Sequence, residues 1–369
     1  MTKIPHQTYF PILKWKAGEY RALRKLDSKT KARTLPLITL TPIDFDFEGQ
    51  RQVKTIDEHL GNFADRLMDH WGPGRILIDL REEIENEIMA DGRPVVTFIF
   101  EEIAKQGSYA VPVFGFRRSR GHAELIRNVV LKNKDGICLR VPLEEMLEDN
   151  FSKQLQNTLD FFEVLDTEVD FILDLEAPET FEPYEDLAGL IATSLSELEG
   201  VDNFRSVAIV SSSFPESITS VIAPPGGDIV RHEWHLYKKI LGLLEPDDRV
   251  PSFGDYGIEH PQFINMDMRF VKPSGKLIYT YADKWHVRRG PNVRDNKYEQ
   301  YVDHSAAIVK DSSIFAGAFY SEGDQYIAEC ATGRGKTGQL TVWKWVGINH
   351  HITHVVEELS NLNEKKSTV

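Results

Sequence analysis

The stretch Val169–Glu176, with the sequence VDFILDLE, is a short and mostly apolar run. An amphipathic run over Tyr184–Leu198 follows it, and another over Phe151–Leu165 precedes it. In the preceding run Leu155 and Leu159 are spaced so that they lie on one face of a helix. A buried strand between two amphipathic helices is typical of a parallel sheet that is covered by helices.

The same unit recurs on both sides of this stretch. The strand candidates, in chain order, are Tyr9–Lys14, Leu35–Pro42, Arg75–Leu80, Tyr109–Phe116, Gly136–Val141, Val169–Glu176, Ser206–Ser211 and Val250–Tyr256. The helical patterns between them are Gly18–Leu26, Val53–His70, Val95–Gln106, Ala123–Asn133, Phe151–Leu165, Tyr184–Leu198 and Arg231–Leu244. Eight such strands within the first 260 residues predict an α/β fold, a closed (β/α)8 barrel of the TIM type. The alternative is an open doubly wound sheet.

The rest of the chain has a different pattern. Short alternating or extended segments are predicted, with a turn at Gly290-Pro291-Asn292, and the segments are Arg269–Phe270, Lys276–Tyr281, His286–Arg288 and Thr341–Trp345. A final helix is predicted over Ile352–Leu362. We therefore expect a barrel core over residues 8–260, a β-rich insertion or cap after strand eight over 261–349, a final barrel helix over 350–363 and a disordered tail over 364–369.

Composition and charge limit the classes of function. Of the 369 residues, 41% are hydrophobic and 27% are charged, which is typical of a soluble globular protein that folds by itself. The formal charge is 43 − 57 = −14, which argues against binding of nucleic acid or anionic membrane over the whole surface and leaves only a local basic patch for nucleic acid. No apolar run approaches the ~18 residues of a membrane span. No signal peptide is evident either, so we expect a cytoplasmic protein that is not bound to a membrane.

Only two cysteines occur, Cys138 and Cys330, and they are far apart in the sequence. Their spacing encodes neither a disulfide framework nor a thiolate zinc site. We expect both to be free thiols in a reducing compartment.

Ionisable residues follow the predicted strands at their carboxyl ends, where the loops of a (β/α)8 barrel bind substrate. The predicted catalytic residues are Lys14, Asp79, Asp174, Glu176 and Asp255. The predicted ligand-binding residues are Arg118, Arg140, Ser212, Ser213, Tyr256, Trp285 and Arg288. A lysine among carboxylates suits acid–base chemistry or the binding of an anion, because nearby opposite charges keep each group ionised. The alternative is a structural ion-pair layer inside the barrel.

Asp174 is the strongest single candidate, because it ends an apolar strand and Glu176 follows two residues later on the same side. Such a pair of carboxylates could hold Mg²⁺, but no phosphate-binding glycine loop follows, and no metal ligand is assigned. The cofactor is left unknown. A lysine that ends the first strand could form a Schiff base with pyridoxal phosphate, as Lys14 would here.

Three motifs fail on their spacing or context. Gly333–Thr337 ends like a phosphate-binding loop, but Cys330 stands where a glycine is required, and we predict a hairpin turn there. In His232-Glu233-Trp234-His235 the histidines are three residues apart rather than the four of a metalloprotease helix, so Trp234 is expected to pack inward. His350 and His354 lie one helical turn apart near a predicted helix start, without a third ligand.

Lys284–Gly290 interleaves basic and aromatic residues, which suits stacking on and neutralising a nucleotide or a short single strand. An exposed hairpin is the alternative. Trp285, Trp343 and Trp345 are also expected to be exposed, as the anchors of an interface with a partner protein.

Several stretches together resemble the phage-type beta protein family over almost the full chain. They are Tyr9–Leu23 (YFPILKWKAGEYRAL), Leu173-Asp174, Ser212-Ser213-Phe214-Pro215, Gly254-Asp255-Tyr256-Gly257 and Gly347–Ile352 (GINHHI). Members of that family occur in phages, prophages and bacterial defence regions. The resemblance implies a phage–host conflict setting, such as antiphage defence, and supplies no reaction and no catalytic residue.

Two hypotheses of different classes follow. The first is an enzyme-like barrel whose site takes a small anionic, nucleotide-like ligand. The second is a non-catalytic component of a defence module that binds a partner protein through the segment after the barrel. Direct binding of nucleic acid comes third, and the fold alone does not decide between them.

Overall fold

The computed structural model describes residues 2–263 and 273–366. Its strands are β1 Phe10–Lys14, β2 Leu37–Leu40, β3 Phe45–Asp46, β4 Arg51–Gln52, β5 Ile76–Leu80, β6 Ala110–Phe114, β7 Ile137–Pro142, β8 Val169–Asp174, β9 Ser206–Val210, β10 Gly226–Val230, β11 Ser252–Asp255, β12 Ser274–Tyr281 and β13 Lys284–Asn292. Its helices are α1 Ala17–Arg24, α2 Ser28–Ala32, α3 Ile56–Leu60, α4 Phe63–His70, α5 Glu82–Glu85, α6 Val95–Lys105, α7 Arg120–Asn133, α8 Leu143–Met146, α9 Phe151–Phe162, α10 Tyr184–Ser196, α11 Ile218–Val221, α12 His232–Leu243, α13 Val293–Asn296, α14 Gln300–Lys310, α15 Glu322–Ala331 and α16 Leu340–Lys366. Short 3-10 helices lie at Asp166–Glu168 and Val201–Asn203.

Eight parallel strands close a barrel in the order β1-β11-β9-β8-β7-β6-β5-β2, and β2 pairs with β1 to complete it. These are the eight strands that the sequence predicts, so the (β/α)8 barrel is confirmed and the open sheet is excluded. Because all eight strands are parallel, their carboxyl ends meet at one end of the barrel, which we call the barrel mouth.

The barrel strands form because their residues are buried on both faces. Every residue of β5 and β8 is buried, including the carboxylates that these strands carry. The covering helices bury one stripe each, as α9 does with Leu155, Leu159 and Phe162. The apolar strands and the apolar face of each covering helix therefore pack together into one core.

The described chain divides into two compact units. The barrel unit contains the residues up to Trp15, Leu35–Ser212 and Glu233–Asp255, and it holds all eight barrel strands. The second unit contains Lys16–Thr34, Ser213–His232 and the chain from Tyr256 onward. Each unit therefore draws on separate stretches of sequence. The predicted linear division at residues 260, 349 and 363 stays a prediction.

The barrel unit also buries an ion pair that the sequence analysis did not single out. Arg205, which precedes β9, donates from Nε to Oδ1 of Asp170 over 3.0 Å, and Ser206 donates to the same oxygen over 2.7 Å. Arg205 and Asp170 are both fully buried. Since Asp170 is the second residue of β8, far from its carboxyl end, we assign this pair a structural role.

The second unit is built on an antiparallel sheet in the order β10-β13-β12. Helix α16 packs against α1, α15 and β12 within this unit. Its predicted role as the last helix of the barrel stays a prediction.

A buried polar cluster ties the sheet of the second unit to its helices. Asp324 accepts hydrogen bonds from Tyr279 Oη at 2.6 Å, Ser321 Oγ at 2.6 Å and His350 Nδ1 at 2.8 Å. His350 Nε2 lies 2.7 Å from the carbonyl oxygen of Thr280. Burial alone would raise the pKa of Asp324, but the charge and hydrogen bond of His350 outweigh burial and hold the pKa below its usual range.

Some predicted elements after the barrel differ in the structure. Lys276–Tyr281 and His286–Arg288 lie in strands, as predicted, whereas Arg269–Phe270 lies outside the described residues. The predicted strand Thr341–Trp345 is wrong, because these residues begin α16, where Trp343 and Val346 are buried three residues apart. Short apolar runs fit either element, and length decides between them.

Two predicted turns are also wrong. Gly290-Pro291-Asn292 belongs to β13, and the chain continues through it as a strand. Gly333–Thr337 connects α15 to α16 and is not part of a β-hairpin. Both errors come from glycine and proline, which mark turns on average but also occur between helices and at β-bulges, such as the register shift of β13 against β12 at Gly290-Pro291.

Candidate functional site

Several predicted catalytic residues lie at the barrel mouth. Lys14 ends β1, Asp174 ends β8, and Asp79 is the next-to-last residue of β5. The strand register places Lys14 opposite Thr39 of β2, and Thr39 opposite Asp79. These three side chains therefore follow one another around the barrel at one level.

Arg140 of β7 joins the two central carboxylates. Its Nη1 donates to Asp79 Oδ2 over 2.7 Å, and its Nε donates to Asp174 Oδ2 over 2.7 Å. The Arg140 side chain is 20% exposed, whereas those of Asp79 and Asp174 are 5% and 3% exposed. The structure thus places an arginine from a third strand between the two predicted catalytic aspartates.

A second arginine extends this network beyond the barrel strands. Arg118, in the loop after β6, donates from Nη2 to Asp79 Oδ1 over 3.0 Å and from Nη1 to Glu85 Oε2 over 2.9 Å. Ser119 Oγ donates to the other oxygen of Glu85 over 3.3 Å. The result is an alternating row of charges, which we call the mouth network: Glu85, Arg118, Asp79, Arg140 and Asp174.

Glu176 lies two residues past β8, beside the mouth network. Its backbone nitrogen donates to Asp174 Oδ1 over 2.9 Å, and its carbonyl oxygen accepts from Ser212 over 2.7 Å. The backbone of Glu176 has a φ of +52°, a left-handed conformation that is unfavourable for a residue with a side chain. Burial, and secondly the nearby charge of Asp174, raise the pKa of the Glu176 carboxyl. These two effects favour the uncharged form of the Glu176 carboxyl relative to that of an ordinary glutamate.

His122, at the start of α7, lies behind Glu85. It is fully buried, and its Nδ1 lies 3.5 Å from Glu85 Oε2 without a hydrogen bond. Burial, and secondly the positive charge of Arg118, lower the pKa of His122 to about 4. The imidazole is therefore neutral at physiological pH and packs face to face with Phe114.

Asp255 and the serines after β9 make other contacts. Asp255 is paired in register with Pro11 rather than with Lys14, and its carboxylate accepts a hydrogen bond from Tyr9. Ser212 is buried, and Ser213 belongs to the second unit. The Ser213 hydroxyl donates to the Val230 carbonyl over 2.9 Å and accepts from the His232 nitrogen over 3.0 Å.

The remaining predicted ligand residues lie in the second unit. Tyr256 is buried, and Arg288 of β13 is partly exposed. Trp285 is 0% exposed and its ring lies against Phe214 and His351. Any role of these residues in binding a ligand stays a prediction.

The expectation of exposed tryptophans is wrong. Trp285, Trp343 and Trp345 are all buried. Trp343 stacks on Tyr301 with ring centres 4.3 Å apart, and its Nε1 donates to the Thr337 carbonyl over 2.7 Å. These rings form the core of the second unit because their large apolar area stabilises packing, and they cannot anchor a partner protein.

The two histidine motifs have structural roles. Trp234 packs inward beside Phe253, as expected. His350 lies in the interior of α16 rather than near its start, and it is held by Asp324. His354 lies one turn later, 3.6 Å from Glu358. Within residues 2–263 and 273–366, no group of three or more His, Cys, Asp or Glu side chains is placed to hold a metal ion.

Sequence reasoning missed Glu85 and Thr39, which complete the mouth. Glu85 belongs to the acidic run Glu82–Glu85 shortly after β5, and that position in a barrel was the available signal. It also missed Glu19, in the opening motif, whose two carboxylate oxygens are buried without a hydrogen-bond partner in the described chain. A carboxylate buried in this way costs stability.

Solved structures of low sequence identity are similar to the chain. The chain is similar to a triosephosphate isomerase from Bartonella henselae, at 10% identity over 67% of this chain and 90% of that chain, with a TM-score of 0.33. It is similar to a fructose-1,6-biphosphate aldolase from Coccidioides immitis, at 10% identity over 97% and 90% of the two chains, with a TM-score of 0.34. A trimodular GH5_4 subfamily endoglucanase matches at 11% identity over 66% and 57%, with a TM-score of 0.32. Likeness at this level carries no statement about activity.

No curated protein matches the sequence. Both cysteines of the chain are free and buried, as expected. None of the helices in the described part of the chain is both long and apolar enough to cross a membrane.

The profile of one family, described as Beta protein, matches residues 9–357. The chain therefore belongs to the Beta protein family.

Proposed function

We propose that the barrel mouth binds a small anionic ligand of the size and charge of a nucleotide. The observation that carries this proposal is the mouth network, in which Glu85, Asp79 and Asp174 hold Arg118 and Arg140 in fixed positions where the barrel strands end. Arginines that are held by carboxylates need no reordering to receive an oxyanion, which favours binding.

Arg118 supplies free donors for such a ligand. A guanidinium carries five N–H donors, and the contacts of Arg118 within the described chain use one on Nη1 and one on Nη2. Its side chain is 16% exposed, so the remaining donors are accessible to a small molecule. A planar carboxylate or a phosphate fits this fork of donors.

Glu176 acts as the proton donor or acceptor of the site. Its carboxyl has a raised pKa, and its left-handed backbone is held by the Asp174 carboxylate and the Ser212 nitrogen. Residues with a strained backbone cluster at functional sites, where contacts with the surrounding structure offset the free-energy cost of the strain. A carboxyl group next to a bound anion can donate a proton to the anion or accept one from it.

The test uses the ligand that the protein itself retains. The purified protein is denatured and the released small molecules are identified by mass spectrometry, for the natural sequence, for Arg118→Gln and for the control Arg120→Gln. Arg120 is close in sequence but is highly exposed and pairs with Glu124 at the surface. We expect an anionic compound that disappears with Arg118→Gln and stays with Arg120→Gln. Equal release from both variants, or no anionic compound in any sample, would contradict the proposal.

The setting that we propose is phage–host conflict, as the resemblance to phage-type beta proteins implies. Plaque formation on cells with and without the protein tests it, with Glu176→Gln as the second comparison. We expect the protein to change the plating efficiency of at least one phage in a panel, and Glu176→Gln to remove that change. No change with any phage would refute the setting without affecting ligand release.

The alternative is a non-catalytic protein that binds a partner through the second unit. Trp285, Trp343 and Trp345 cannot be the anchors of this interface, because all three are buried. Phe319, which is 99% exposed in the segment between α14 and α15, now supports this alternative. Phe319→Ser should abolish capture of a partner without changing the thermal midpoint, and unchanged capture would exclude Phe319 as the anchor.

A further inference from the structure

We propose that the second unit holds an oxyanion site of its own, formed by Lys276 of β12 and Arg289 of β13 and fitted to a phosphoryl group. These two cations lie directly opposite each other on antiparallel strands. Opposed like charges repel at this spacing, so the pair is unfavourable unless an anion lies between them.

The partners that the described chain offers the two cations are not carboxylates. Among the described residues, neither Lys276 nor Arg289 forms an ion pair with an acidic side chain. Arg289 instead donates from Nη1 to the Ile222 carbonyl over 2.5 Å, which fixes its guanidinium. Its Nε is buried without a hydrogen-bond partner. Burial, and secondly the charge of Arg289, lower the pKa of Lys276. In a chain with a formal charge of −14, such a pair marks a place for an anion.

A third donor lies beside them. Ser274 is buried, and its hydroxyl has no hydrogen-bond partner in the described chain. Because side chains alternate between the faces of a strand, Ser274 and Lys276 share one face of β12. A hydroxyl, an ammonium and a guanidinium on one face form a donor set that suits the three oxygens of a phosphoryl group.

The glycines next to the two cations show which face this is. A Cβ at Gly275 would lie 2.4 Å from Gln300 Oε1, and a Cβ at Gly290 would lie 2.0 Å from the same oxygen. Both glycines therefore face α14, and there is no room for a side chain there. Their neighbours Lys276 and Arg289 point to the opposite face of the sheet, away from α14.

The same alternation supplies a matched control. Arg288 precedes Arg289 in β13 and is paired in register with Leu277 rather than with Lys276. It carries the same charge on the other face of the strand. A ligand held by charge alone would respond to either arginine, whereas the proposed site responds to Arg289.

The test follows Lys276 itself. The intact protein is treated briefly with acetic anhydride, and acetylation of each lysine is measured by mass spectrometry with and without inorganic phosphate. Phosphate should slow acetylation of Lys276 at least fivefold and leave Lys284, on the same sheet, unchanged. Arg289→Gln should weaken this protection by about tenfold in phosphate concentration, the usual effect of losing a charge-assisted hydrogen bond. Arg288→Gln should preserve it.

A second variant guards against misfolding, because Arg289 also holds the Ile222 segment. Ser274→Ala leaves those contacts in place and should still weaken protection of Lys276. Equal protection by sodium chloride at the same ionic strength would overturn the proposal. So would protection by a single-stranded oligonucleotide without protection by phosphate, because the ligand would then be a nucleic acid. Loss of protection in Arg288→Gln but not in Arg289→Gln would place the anion on the other face.

Discussion

The pairing of Arg140 with Asp174 can be measured by a double-mutant cycle with Arg140→Met and Asp174→Asn. Arg140 Nη2 and Asp174 Oδ2 are 2.6 Å apart, and the two side chains are 20% and 3% exposed. At an effective dielectric constant of about 20, the Coulomb attraction at this distance is about 6 kcal/mol. Desolvation of both charges offsets much of that attraction.

We expect Arg140→Met to lower the free energy of unfolding of the barrel unit by about 3 kcal/mol, because Asp79 and Asp174 both lose an ion-pair partner. Asp174→Asn should cost less, about 2 kcal/mol, because Arg140 keeps its ion pair with Asp79. The double change should cost less than the sum, with a coupling energy of about 2 kcal/mol. Urea unfolding gives these values, and it is followed by tryptophan fluorescence, to which Trp15, Trp71 and Trp234 of the barrel unit contribute.

The surface pair of Arg120 and Glu124, 3.2 Å apart on α7, is the control. Exposed pairs of this kind couple by less than about 0.5 kcal/mol. A coupling of Arg140 with Asp174 no larger than this control would refute the assignment of a preformed mouth network, and with it the main support for the anion site.

Three further predictions concern single positions. The pKa of His122 is about 4, below its usual value, so the neutral ring stabilises the fold above pH 6.5 and this stability is lost as the pH falls toward 4. His122→Asn should remove about 3 kcal/mol of pH dependence from urea unfolding in that interval. Glu176→Gly should raise the free energy of unfolding by about 0.5 kcal/mol, because glycine adopts a φ of +52° without strain; a loss of stability would mean that the carboxyl makes stabilising contacts. Glu19→Met should raise the thermal midpoint, because it removes a buried carboxylate without a hydrogen-bond partner, and a lower midpoint would show that the carboxylate has a stabilising role.

The position of the mouth network could be predicted from the sequence, but its ion pairs could not. Parallel strands bring their carboxyl ends together, so Lys14, Asp79, Arg140 and Asp174 could be assigned to the barrel mouth from the strand boundaries alone. Which charges would pair could not be assigned. The lysine was expected among the carboxylates, and the structure places Arg140 between Asp79 and Asp174, with Arg118 on the far side of Asp79.

Most of the wrong sequence-based predictions concern the chain after the last barrel strand. The segments there are short, and the sequence around aromatic residues such as Trp285 and Trp343 is compatible both with an exposed interface anchor and with a buried core position. Burial depends on what other parts of the chain cover, and the sequence of the segment itself does not contain that information.

The sequence by itself determined the barrel, because the alternation of apolar strands with striped helices is a local property that repeats eight times before residue 260. Tertiary structure alone decided the rest. Arg140 meets Asp79 and Asp174 across 61 and 34 residues, and Lys276 meets Arg289 only when β12 folds back on β13. Such contacts depend on barrel closure and strand register, which side-chain periodicity constrains but does not specify residue by residue.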